Sequence, residues 1–273
     1  FSDRDIQRHY KSYTDISGSK SLNEKLKKTC YNYKPDLIVL GHADLVSSEM
    51  LGELKDEYPY LKIAQWFLDP LNKNGPDYSK NKNRILDKSK FLDSNFITTS
   101  PDVLGFLPQQ VQNYFIPNPS DLSFETLDNY KYDCTNDVFF ALSHGVHRGS
   151  LKSRTVDDRE IFINKLIQKN KNIKFDVYGM NNVQPIWGDE FKKNLYNSKI
   201  ALNLSQGKPL KYYSSDRIAQ LMGNGIATLV DKKTKLNELF SNKEVVFYSS
   251  NTDLNKKLNL MLKKNSLRDK LAK

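Results

Sequence analysis

The stretch Ser214-Ser-Asp-Arg-Ile-Ala-Gln-Leu-Met-Gly-Asn-Gly-Ile-Ala-Thr-Leu-Val230 decides the fold. Residues 214–222 read as a helix with Ser214 at its cap, and Gly223-Asn224-Gly225 stops it. Ile226–Val230 is an apolar run of strand length. Working back along the chain, Asp137–Leu142, Ile173–Tyr178 and Ser198–Leu204 read as strands, with helices over 157–169 and 190–197 between them. Working forward, the strand 244–248 and the helix 253–264 follow. Strands that alternate with helices build parallel α/β layers.

The first half repeats that grammar. A helix over 21–33 is broken by Lys34-Pro35-Asp36 and followed by the strand Leu37–Leu40. A helix from Ser47 or Ser48 to Glu57, the strand Ile63–Leu68, a polar loop from Asn72 to Asn83, a helix near 82–91 and strands at 95–99 and 114–116 come next. Ile116-Pro-Asn-Pro-Ser-Asp121 has two prolines in three residues, which fix the backbone and forbid helix. The expected architecture is therefore two Rossmann-like α/β domains, residues 1–118 and 119–273, facing a cleft. Ligands of such sheets bind at the carboxyl ends of the strands. This directs attention to the loops after residues 40, 68, 142, 178 and 204, and to the helix near Ser214.

Composition excludes several classes. The longest strongly apolar runs, Leu37–Leu40 and Val138–Leu142, are far short of the roughly 20 residues of a membrane-spanning helix. Cys30 and Cys134 are the only cysteines, too few for a disulfide scaffold or a cysteine-rich zinc site, and a reducing cytoplasm fits. Ser2-Asp3-Arg4-Asp5 is no signal peptide. The net charge is +10, and residues 243–273 alone carry 8 Lys/Arg against 3 Asp/Glu. Such a balance favours anionic partners, here a phosphate-bearing substrate or a peripheral contact with anionic membrane. No nucleic-acid-binding module accompanies the charge, so no nucleic-acid role is expected.

Arg217–Val230, with Lys235-Leu-Asn-Glu-Leu-Phe240 and Glu244–Tyr248 behind it, resembles the donor-binding helix and following strands of GT-B glycosyltransferases. Ile116–Asp121 is similar to their interdomain hinge. Lys34–Val39 and Ile97–Pro101 are similar to their N-terminal domain. Within that group the chain resembles the CgeB-like (spore-maturation type) family. The resemblance implies an acceptor-side domain, incomplete at its start, followed by a nucleotide-sugar domain. It also implies transfer of a sugar from a nucleotide-diphosphate donor to a saccharide or lipid-linked acceptor, with no cofactor and no metal.

It further implies which residues act. In His144-Gly-Val-His-Arg148-Gly-Ser-Leu-Lys152, Arg148 and Lys152 would meet the donor diphosphate, joined by Ser214 and Ser215 at a helix start. Tyr178 and Gly179, at a strand end, and Gln220 would contact the nucleoside, with Trp187 available for stacking. The paired acids of retaining members are absent, because Gln220 and Tyr212 occupy their positions. His42, Asp44 and Asp69, after the first two strands, are candidate general bases toward an acceptor hydroxyl. Two other readings share the architecture: a nucleotide-sugar epimerase, and a binding module that has lost the chemistry.

Overall fold

A computed structural model describes residues 1–75, 77–143 and 157–273. The chain forms two compact units, Phe1–Asp69 with Ser79–Ile116, and Pro70–Tyr78 with Pro117–Lys273.

The first unit contains α1 (Asp3–His9), α2 (Ser19–Tyr33), β1 (Leu37–Gly41), α3 (Ser48–Glu57), β2 (Lys62–Phe67), most of α4 (Tyr78–Asp87), β3 (Ser94–Ile97) and β4 (Gln112–Phe115). Its four strands are parallel and lie in sequence order, β1-β2-β3-β4. Ile38, Leu40 and Ile63 pack against Leu26 and Cys30 of α2 and Met50, Leu51 and Leu54 of α3. A parallel sheet wound in sequence order carries its crossovers on one side. The alternate positions of β1, Leu37 and Val39, accordingly stay 53% and 57% exposed.

Three amides pin the register across the middle of this sheet. Gln65 Nε2 donates to Asn95 Oδ1 (3.5 Å), Asn95 Nδ2 donates to Asn113 Oδ1 (2.9 Å), and Asn113 Nδ2 donates to the carbonyl of Val111 (2.7 Å). Asn95 is buried. Asn95→Leu removes the acceptor of Gln65 Nε2 and the donor to Asn113 Oδ1, and an unsatisfied buried polar group costs about 1–3 kcal/mol. A lower urea midpoint at unchanged slope is the expected result; an unchanged midpoint would mean that the ladder contributes nothing to stability.

The second unit contains β5 (Asn136–Ala141), α5 (Asp158–Lys169), β6 (Phe175–Tyr178), α6 (Gly188–Tyr196), β7 (Ser198–Asn203), α7 (Arg217–Gly223), β8 (Ala227–Asp231), β9 (Val246–Tyr248), α8 (Asn251–Lys263) and α9 (Asn265–Ala272). All its strands are parallel, in the order β6-β5-β7-β8-β9. Successive residues of β5 point to opposite faces. Val138 and Phe140 pack with Ile163 and Leu166 of α5 and Leu254 and Leu258 of α8. Phe139 and Ala141 pack with Leu195 of α6 and Leu221 of α7. Both faces are therefore covered. The loop Pro70–Tyr78 belongs here too: Asn72 is buried, its Nδ2 donates to the carbonyl of Gln206 (3.1 Å), and Gly207 (φ +75°) passes close against it.

Two helix starts differ from expectation. α4 opens at Tyr78, inside the stretch read as a loop, because only Ile85 and Asn81 are buried on it and its polarity hides the period. α7 opens at Arg217 rather than Ser214. The backbone just before it is held in non-helical form: Tyr212 has φ +61°, and Asn118 Nδ2 donates to the carbonyl of Ser214 (2.8 Å).

Candidate functional site

In the second sheet the strand order reverses around β5. β6 lies on one side of it and β7 on the other, so the crevice outside the carboxyl ends of β5 and β7 is the switch point where such sheets bind ligands. Arg217 occupies that point. Its NH2 donates to the carbonyl of Ala141, the last residue of β5 (3.1 Å). Its NH1 donates to the carbonyl of Leu204, just past β7 (2.7 Å), and to Ser215 Oγ (3.3 Å). The guanidinium also lies over the Phe140 ring, 5.4 Å from its centre.

Burial, and then the nearby Arg159 cation, push the Arg217 pKa down to about 10, so the group is still charged at neutral pH. Arg159 has its own counter-ion: its Nε and NH2 donate to the two oxygens of Asp157 at 2.9 and 2.6 Å. Arg217 forms no carboxylate ion pair among the described residues. A guanidinium has five N–H donors; three contacts go to carbonyl and hydroxyl oxygens, and its Nε–H and one NH2 hydrogen have no partner among the described residues. The result is a positive group with open donors at the rim of a parallel sheet.

The residues expected from sequence fall around this rim. Ser214 is buried and does not cap the helix: Asn203 Nδ2 donates to its Oγ (3.0 Å), tying the segment to the end of β7. Ser215 Oγ accepts from Arg217. Gln220, on α7, turns its Nε2 toward Asp216 Oδ2 (3.5 Å). Tyr178 ends β6 beside β5, and its carbonyl accepts from Leu142 N–H (2.9 Å). Burial and the neighbouring Asp176 raise its phenol well above the usual range. The N–H of Gly179 (φ +72°) donates to the Val183 carbonyl (3.1 Å), so that donor is already used within the loop. Trp187 precedes α6 and is 64% exposed. Arg148 and Lys152, with His144 and His147, lie outside the described residues.

In the first unit the structure brings His42, Asp44 and Asp69 together at the carboxyl ends of β1 and β2. His42 Nε2 lies 3.8 Å from Asp69 Oδ2, and its ring stacks on Phe67 with centres 5.8 Å apart. Both carboxylates meet a residue that the sequence reading passed over: Arg84 of α4 reaches Asp44 Oδ2 (2.5 Å) and Asp69 Oδ2 (3.1 Å). Arg217 was likewise unassigned. It had a signal, since a cation in the first turn of a helix opposes the helix dipole and calls for another reason to be there. Arg84 had none in its spacing.

Comparison with known proteins agrees with the fold. Residues 154–273 match a family model described as "Glycosyl transferase-like". Sucrose-phosphate synthase from Thermosynechococcus elongatus superposes with a TM-score of 0.54 at 13% identity, covering 94% of this chain and 71% of that one. Anabaena HepE in complex with UDP and glucose gives 0.53 at 12%, covering 92% and 74%. TarM gives 0.57 at 14%, with 94% of this chain matched to 53% of the larger one. No curated protein sequence matches the chain. The chain is thus an α/β protein with the fold of GT-B glycosyltransferases, and the bulk of its second unit matches the glycosyl transferase-like family.

Proposed function

We propose that this chain is a glycosyltransferase that moves a sugar from a nucleotide-diphosphate donor to a hydroxyl of a saccharide or lipid-linked acceptor. One observation carries the reading: a charged guanidinium, Arg217, with two N–H donors that have no partner among the described residues, sits at the switch point of the second sheet. A diphosphate is the kind of ligand that such a fork recognises. The HepE structures with UDP and with UDP-glucose support a donor of this class.

In the reaction the acceptor oxygen attacks the anomeric carbon, and the bond from that carbon to the diphosphate oxygen breaks. The electron pair leaves with the nucleoside diphosphate, and the acceptor proton passes to a base. Arg217 stabilises the charge on the departing group, assisted by Arg148, Lys152 and the Ser214–Ser215 segment. No metal is required for that neutralisation. Tyr178, Gly179 and Gln220 face the nucleoside. His42 takes the acceptor proton, with Asp69 beside it. The CgeB-like resemblance belongs to this reading, as does a peripheral contact of the lysine-rich 243–273 segment with anionic lipid. Among the described residues no helix is long and apolar enough to cross a membrane.

Calorimetric titration of the chain with UDP, GDP and ADP in EDTA tests the donor half. One of the three is expected to bind at micromolar concentration with no need for a divalent ion. Absence of binding by all three would sink the reading. Binding with no turnover across a panel of sugars and acceptors would select the non-catalytic module, which Gln220 and Tyr212 in the places of the paired acids favour.

A further inference from the structure

Asp44 and Asp69 follow different strands, and two carboxylates gathered at one rim repel each other. Arg84 holds both. Its NH1 reaches Asp69 Oδ2 and its NH2 reaches Asp44 Oδ2, and the side chain is only 19% exposed. Arg4 lies farther from Asp44 (3.6 Å) and in solvent. His42 stands two residues before Asp44, within 3.8 Å of Asp69, and has φ +49°. That is left-handed backbone, which is strained for a residue with a Cβ and persists only where the surroundings enforce it. Here the Asp44 N–H donates to the His42 carbonyl (2.8 Å), closing the turn. Asp69 faces Nε2 of the ring on one side, and Phe67 stacks against the ring face.

We propose that Arg84 is the positioning residue of His42. By drawing Asp44 and Asp69 onto one planar fork, it fixes the turn that carries His42 and the carboxylate beside its Nε2. Nδ1 is left as the nitrogen that takes the acceptor proton. A lysine would supply the charge but not the two-pronged geometry. The inference rests on the glycosyltransferase reading for what His42 does, but not for how it is held.

The test uses the whole chain with 15N-labelled histidine and the variants Arg84→Met and Arg84→Lys, with His42→Asn to assign the signals. In the wild type the ring current of Phe67, stacked on His42, is expected to displace the His42 ring protons from those of the other histidines. Arg84→Met is expected to bring them to the position of a freely moving imidazole, with Arg84→Lys between the two, while the methyl signals of Leu51 and Ile63 stay fixed. Should those methyls move, Asp69→Asn, which cuts one leg of the fork, gives the same readout. His42 signals unchanged in the methionine and asparagine variants would overturn the proposal. In transfer assays, Arg84→Met is expected to lower kcat roughly 10-fold to 100-fold with donor KM unchanged, since misplacement of a reacting group acts on the chemical step. A lost NMR signature with no transfer by the wild type would sink the enzyme reading and leave the positioning role standing.

Discussion

Arg217→Met is expected to weaken nucleoside-diphosphate binding about 100-fold. Hydrogen bonds to charged groups are worth about 1.5–3 kcal/mol, and each 1.4 kcal/mol is a factor of about ten in affinity. Two N–H donors have no partner among the described residues, but their effects are not additive, so about 2.7 kcal/mol is the reasonable sum. Arg217→Lys keeps the charge and loses the planar fork, and should fall between wild type and methionine. Titration calorimetry with the preferred nucleotide is the measurement. The same substitution also removes the donors that Ala141 and Leu204 carbonyls use at the strand ends. A thermal scan beside each titration separates weaker folding from weaker binding. A methionine variant that melts like the wild type and binds like it would remove the diphosphate from this rim.

The second large effect is expected at His42. General-base catalysis by a placed side chain contributes typically about 10²–10⁴-fold, so His42→Gln should lower kcat by that order. Donor affinity should stay unchanged, because Arg217 and Tyr178 belong to the second unit and His42 to the first. Asp44→Asn should have a smaller effect, since the Asp44 carboxylate pairs with Arg84 and Arg4, whereas Asp69 is the carboxylate beside the imidazole. If glutamine at 42 left kcat intact, the proton would have another destination and the first-unit cluster would be an ion-pair strut.

How much of this was legible in the sequence depends on which physics each element uses. The strands at 37–41, 62–67, 136–141, 198–203 and 227–231 are built on short apolar runs, and their composition gives them away. The glycine turn at 223–225 was equally plain: Gly225 has φ +71°, and a Cβ there would meet Tyr130 at 2.8 Å. The short polar helices α1 and α9 have no buried residue, so no periodic signal announces them. The false start of α7 at Ser214 has a similar cause. What stops the helix there is a bond from Asn118, 96 residues away, which no local pattern contains.

The site divides along the same line. His42, Asp44 and Asp69 were legible because each follows an apolar strand. Arg84 was not, because it arrives from a helix whose only role in sequence is to be polar. Arg217 stood in the most readable stretch of all. Its partners, however, are backbone carbonyls of Ala141 and Leu204, and carbonyls carry no sequence signature.

The loop Pro70–Tyr78 leaves the first unit and returns to it, so the chain passes between the units after Asp69, after Tyr78 and after Ile116. The two halves are therefore not interchangeable cassettes. A chimera that grafts residues 119–273 onto a foreign first half would leave behind Asn72 and its bond to the Gln206 carbonyl, along with the surface shaped around Gly207. Recombination that respects this architecture must carry nine residues from the middle of one half together with the whole of the other.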